Sequence, residues 1–443
     1  MAAEPEKAAE TSSLPAVARE SSAAAARAEE TTAPHAAAAP PPPPNGGLVA
    51  WLQVAGAFFL FFNSWGVVNT FGVYQSYYKD ELLQSHSASS ISWIGTIQAC
   101  LLLWVCVIAG PIFDKGYMKF LVVTGSFLVV FGLMMTSLAS KFYQILLAHG
   151  VCVGVGASLL FLPSVAIVAT YFTTHRAFAL GVTAVGGSVG SVIYPIIFRE
   201  LIGPVGFGWT TRIIAFIALA TLAFSITVLK ARLPPPKQAR AMLDMSALKE
   251  LPFLTCCIAF FFAFVGLYFP IFYIPSYFKF SLHYTEHGLD FYILAILNAA
   301  SAVGRITPGL VADKVGSINT IIPVVLLTAI LSFAWIGIHN LAGTIVFACL
   351  YGFASGALLS LPPSVIARLS PNMGIVGTRM GMSFTFSGLG ALIGNPIGGA
   401  LIDLEQGQFW RGQLFCAIML LIGFSFFCVL RLLKWREGVK GAF

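Results

Sequence analysis

The chain has 443 residues, 58% of them hydrophobic and only 10% charged, with a formal net charge of +7. Soluble domains carry about a quarter charged residues, so a chain this apolar cannot keep its surface in water and belongs in a lipid bilayer. All eight cysteines lie in apolar segments without C-x-x-C spacing, and neither HExxH nor GxxxxGK[ST] occurs; a disulfide framework, a metal or other cofactor, direct ATP drive and an enzyme active site are therefore not expected.

Residues 1–47 are rich in Ala, Glu, Ser and Thr and end in the run Pro40–Pro44, so they read as a disordered cytosolic tail. The tail lacks the apolar core and cleavage site of a signal peptide, which leaves the first membrane helix to direct insertion. With about 20 apolar residues needed per crossing, helices are expected at 48–78, 88–112, 120–139, 143–171, 177–199, 208–230, 251–279, 287–311, 319–338, 342–367, 376–401 and 410–433. The longest break, 231–250, carries Pro234 to Pro236 and a cluster of Lys and Arg, and reads as a cytosolic linker between two six-helix halves, 48–230 and 251–433; residues 434–443 form a cytosolic C-tail. The predicted fold class is an all-α membrane protein of twelve transmembrane helices in two parallel-repeat halves. Basic residues concentrate in alternate turns, which puts both termini in the cytosol. The positive charge is thus a topology signal that calls for no nucleic-acid partner, and the bilayer is the partner it implies.

One half repeats the other. Gly110 to Lys115, GPIFDK, recurs as Gly309 to Lys314, GLVADK, each in a short charged turn between apolar runs. Arg176 opens a Gly-rich run ending at Pro195, and Arg379 opens another ending at Pro396; the offsets 313 − 114 = 199 and 379 − 176 = 203 nearly agree. Parallel half-repeats in a polytopic chain imply a transporter working by alternating access, with a small-molecule substrate as partner. Gly110 and Gly309 let helices approach closely, and Asp114 and Asp313 sit where a carboxylate can meet the positive start of a neighbouring helix. With Lys115, Lys314, Arg176 and Arg379 they form the predicted gate. In its closed form Asp114 is expected near Arg379 and the start of helix 11, and Asp313 near Arg176 and the start of helix 5.

The doubled G-x-x-x-D-K turn resembles the cytosolic gate motif of the major facilitator superfamily, G-x-x-x-D-[RK]-x-G, the second copy in full and the first with Tyr117 at the last position. Tyr171-Phe172 followed by Arg176, Ala179, Gly181, Gly186 and Gly190 is similar to a stretch of the monocarboxylate porter family, particularly its fungal branch. Asn45-Gly46-Gly47 before Trp51 resembles that family's Asp-Gly-Gly approach to helix 1, with Asn for Asp, and Gly304-Arg305 also fits. The resemblance implies a secondary transporter of a small, anionic organic acid, in which Arg305 binds the substrate's carboxylate.

Arg305 stands eight residues before Asp313, hence about 12 Å into the membrane along helix 8. A guanidinium at that depth is costly unless it meets a wet cavity or a partner, so it is a functional candidate in its own right. The family's proton symporters carry an Asp one turn before this Arg and a Lys in helix 1; the matching positions here are Ser301 and Asn69. That removes the familiar proton relay, leaves any proton coupling to another group, and makes export of a fungal secondary metabolite the competing reading. A transporter-like nutrient sensor without flux is a third. Asn69, Ser301 and Asn298 join Arg305 as candidate substrate-binding residues, with Asn63, Gln75, Asn395, Trp65, Tyr74, Tyr268, Tyr273 and Phe384 as further candidates for the cavity wall. His283 and His287 beside Glu286 read as an exposed outer turn and not as a metal site. The expected location is the plasma membrane, with the vacuolar membrane second.

Overall fold

The computed structural model describes residues 43–86, 88–232, 244–282, 289–371, 375–403 and 406–436. Residues 1–42 of the expected tail, the 233–243 stretch of the linker, His283, Glu286 and His287, and 437–443 of the C-tail lie outside the described residues.

Within a bilayer core every backbone N–H and C=O must be satisfied by the chain itself, which leaves helices as the form these apolar runs take. Ten helices among the described residues are long and apolar enough to cross a membrane. They begin with α1 (Gly47–Leu82), α2 (Ser90–Asp114), α3 (Met118–Thr136) and α4 (Phe142–Tyr171). The next, Arg176–Val228, is two crossings joined at Gly206, whose φ of 74° and ψ of 170° break the helix; we number its parts α5 (176–205) and α6 (207–228). After them come α7 (Leu251–Phe280), α8 (Leu289–Val315), α9 (Ser317–Trp335), α10 (Leu341–Leu369), α11 (Val376–Ala400) and α12 (Trp410–Arg436). Helix α11 is so rich in glycine that it falls outside the ten, and adding it together with the split of the fifth gives the twelve-helix fold.

The sequence reading left 200–207 as a loop between helices 5 and 6. Instead the helix continues to Val205, and Gly206 alone turns the chain, because a positive φ costs a residue without Cβ almost nothing. Two segments are wound more loosely than an α-helix: Tyr78–Leu82 at the end of α1 and Leu146–Cys152 in α4 are π-helical.

Close approach fixes how the helices cross. A Cβ on Gly66 of α1 would stand 2.8 Å from the Cα of Gly190 in α5, so these two helices touch backbone to backbone. Asn63 ties the same corner together: its Nδ2 donates to Thr221 Oγ1 at 2.8 Å, and its Oδ1 accepts from Tyr194 Oη at 2.7 Å. That hydrogen bonding makes Asn63 a packing residue of α1, α5 and α6. At the end that carries the charged turns α2 meets α11 and α5 meets α8, and these contacts position the site.

Candidate functional site

The charged turn after α2 folds back on the start of α11. Asp114 Oδ2 accepts from the backbone N–H of Thr378 at 2.9 Å and from Thr378 Oγ1 at 2.8 Å. The turn after α8 does the same at the start of α5, where the two oxygens of Asp313 accept from the N–H groups of Ala177 and Phe178 at 2.9 and 3.0 Å. The first amides of a helix have no partner inside it and carry the positive end of its dipole, so a carboxylate there satisfies donors and meets favourable charge. Glycine makes room for both contacts: a Cβ on Gly110 would overlap the carbonyl of Gly377, and one on Gly309 would lie 2.6 Å from the carbonyl oxygen of Ala177. Arg176 lies within electrostatic reach of Asp313, and its Nε donates to Phe172 O at 3.1 Å. Lys115 and Lys314 are exposed beside these turns.

The expected ionic partner of Asp114 was Arg379, and here the structure differs. Arg379 is 1% exposed and turns its guanidinium to the segment before α7. Its Nη1 and Nη2 meet the two carboxylate oxygens of Glu250 at 2.9 and 2.6 Å, its Nε meets Asp244 at 3.0 Å, and its Nη1 also donates to Leu369 O at 3.2 Å. Phe253 covers the guanidinium plane at 5.3 Å. Partial burial alone would raise the Asp244 carboxyl, but hydrogen bonds from Ser246, Arg379 and the Ala247 amide together hold it below the usual carboxylate range. Asp244 and Glu250 were missed because the linker was read for its basic residues alone; its two acids are the residues that bind. The other half has a neutral counterpart. Asn45, just before α1, accepts through Oδ1 from the amides of Thr173 and Thr174 at 2.6 and 3.2 Å, ahead of α5.

Between the two halves, α1, α2, α7 and α11 bound a small cleft with about 20 Å³ of free space. Trp65, Asn69, Thr96, Tyr268, Phe272 and Asn395 line it, and none of its lining residues is charged. The Trp65 and Tyr268 rings are stacked at 6.2 Å with planes 10° apart. Asn69 Nδ2 donates to Ser191 Oγ at 2.9 Å, while Asn395 Oδ1 and Tyr268 Oη are buried without a hydrogen-bond partner. Of the four residues expected to bind substrate, Asn69 alone lines this cleft.

Arg305, Ser301 and Asn298 share one buried face of α8 away from it. Nη1 of Arg305 donates to Ala184 O at 2.6 Å, Nε has no partner, and the side chain is 2% exposed. Asn298 bonds back to Leu294 O at 3.1 Å, and Ser301 packs against Gly356 of α10.

The family model described as Major Facilitator Superfamily matches residues 54–350. "MFS-type transporter dbaD" of Emericella nidulans is 48% identical over 83% of this chain and 82% of its own length. The "Aspyridones efflux protein apdF" of the same organism is 40% identical over 85% and 77%. Among solved structures, the human organic anion transporter MFSD10 (TETRAN) and the E. coli Fucose:proton symporter FucP each align with a TM-score of 0.63 at 15% identity, over 86% of this chain and 98% of theirs. At that identity they show the fold alone, and it is the fold described above. With the family model spanning more than half of the chain and relatives this similar over most of their length, the chain belongs to the Major Facilitator Superfamily and is a membrane transporter.

Proposed function

We propose that this transporter exports a fungal secondary metabolite across the plasma membrane, with both termini in the cytosol. The observation that carries the reading is the 40% identity, over 85% of the chain, to a protein named for the efflux of aspyridones. The lining of the cleft agrees with it: three aromatic rings, Trp65, Tyr268 and Phe272, and two amides, with no charge among them, suit a weakly polar molecule better than a small anion. The six-helix groups 48–230 and 251–433 rock about this cleft, and Asp114 and Asp313, with their glycines, hold the cytosolic side shut between cycles.

A second reading, uptake or export of a small organic acid in the manner of monocarboxylate porters, draws support from Arg305, whose buried guanidinium keeps an unpartnered Nε. With Ser301 where those porters have an acid, proton coupling would run through another group. Deleting the gene in its host and profiling culture medium and cells separates the two. Export of a secondary metabolite requires that at least one such compound fall in the medium and accumulate inside, with restoration by the intact gene. An unchanged distribution of secondary metabolites, with altered growth on simple organic acids, overturns it in favour of the second reading.

A further inference from the structure

Resting on the transport reading, we propose that Trp65 and Tyr268 are a partition that the substrate parts to reach Arg305, and that the substrate is a flat aromatic molecule bearing an acidic oxygen. Trp65 stands on α1 and Tyr268 on α7, so the stacked pair bridges the first and second groups of six helices. Both rings line the cleft. Arg305 stands beside Trp65. A Cβ on Gly187 would come 3.0 Å from Trp65 Cβ and 3.1 Å from Arg305 Nη1, so the base of the Trp65 side chain and the guanidinium flank one glycine. Yet Arg305 does not line the cleft.

Buried polar atoms are ordinarily hydrogen-bonded, and each exception calls for a reason. Three exceptions gather at this pair: Tyr268 Oη, Arg305 Nε and Asn395 Oδ1. The first two are donors, and the third, on the cleft side, is an acceptor. An acidic oxygen passing between the rings takes hydrogen bonds from Tyr268 and Arg305, while a hydroxyl or N–H elsewhere on the molecule meets Asn395. Separating the rings forfeits their stacking, and a flat aromatic body restores it by stacking on each. An aliphatic acid offers no such replacement, so the partition selects for aromatic cargo. Behind it the inner route is closed, because the backbone of Arg305 packs directly on Gly181 of α5.

Purified full-length protein labelled with phenylglyoxal, with adducts mapped at each arginine by mass spectrometry, tests this without any flux. Arg305 should label slowly in the wild type and about tenfold faster in Trp65→Ala and Tyr268→Ala, the ratio that loss of one aromatic pair supports. Buried Arg379 should not change in either variant, and Tyr268→Phe, which keeps the ring, should behave as the wild type. In the Trp65→Ala protein, 7-hydroxycoumarin should then protect Arg305, and coumarin, which lacks the acidic oxygen, should not. Fast labelling in the wild type, no gain in either alanine variant, or a gain matched at Arg379 overturns the partition. Equal protection by the two coumarins, or protection by neither, overturns the ligand class. The labelling holds or fails whatever the host's metabolite profile shows, so it is separable from the export reading.

Discussion

Arg379 shows how much one guanidinium can organise. Its planar fork matches the Glu250 carboxylate with two bonds while Nε remains for Asp244, a set that a lysine ammonium cannot copy. Arg379→Lys should therefore lower stability despite keeping the charge. Glu250 is 44% exposed, so water screens part of the interaction, and the loss should be about 1–2 kcal/mol, less than for a wholly buried pair. Thermal unfolding in detergent measures it, and a loss below a few tenths of a kcal/mol would mark the pair as ornamental to stability. The same contact gives a pH dependence. The Asp244 carboxyl is held below its ordinary range in the folded protein, so its contribution is complete above the unfolded value of about 3.9 and fades as pH falls through the folded value. Unfolding midpoints of wild type and Asp244→Asn should differ by a constant amount from pH 7 to 5 and converge in more acid buffer. A difference that shrinks between pH 7 and 5 would assign the effect to another group.

At the scale of the helix, the sequence was most legible where physics acts locally. Runs of about 20 apolar residues can only be membrane helices, and a charged turn repeated at an offset of 199, with an Arg-headed glycine run repeated at 203, marks equivalent corners of two halves. What stayed hidden depends on distance or on a single residue. Gly206 turns the chain without any polar stretch to announce it. The Trp65–Tyr268 stack joins rings 268 − 65 = 203 positions apart, and nothing local to either says that they meet. Asp244 and Glu250 are isolated acids in a basic stretch, so their pairing with Arg379 becomes visible only when α11 is placed beside α7. The glycines of the gate turns were read correctly as points of close approach, and their packing makes a sharp prediction. A valine at Gly309 cannot fit while the Ala177 carbonyl stands 2.6 Å from its Cβ, so α5 and α8 must separate where these turns meet. Gly309→Val should reach the membrane yet leave cysteines introduced on the gate-end faces of α5 and α8 reactive in every condition, with transport reduced at least about fivefold, as overpacking of about 1–3 kcal/mol implies. Normal turnover in that variant would show that the two helices never need to meet.

For the molecule as a whole, the question is whether the two gate contacts belong to one motion. Asp114 grips α11 and Asp313 grips α5, each accepting two hydrogen bonds at a helix start, from an amide and a hydroxyl at Asp114 and from two amides at Asp313. Replacing either Asp by Asn removes the charge from the helix dipole and weakens those bonds, at a cost of about 1.5 kcal/mol to the cytosol-closed state, or about a tenfold shift toward the inward-open one. The contacts share no residues. If the halves rock as rigid bodies, both break in the same step, so their energies add and the double variant should shift the equilibrium about a hundredfold. If each corner opens by itself, the second substitution acts on a state already released at the other, and the double variant should sit near the larger single effect. Cysteine accessibility from the cytosolic side, measured in Asp114→Asn, Asp313→Asn and the combination, distinguishes the two. Because Asp114 and Asp313 lie far from the cleft, turnover should fall more than substrate affinity in all three, and a change confined to affinity would mean that neither carboxylate gates anything.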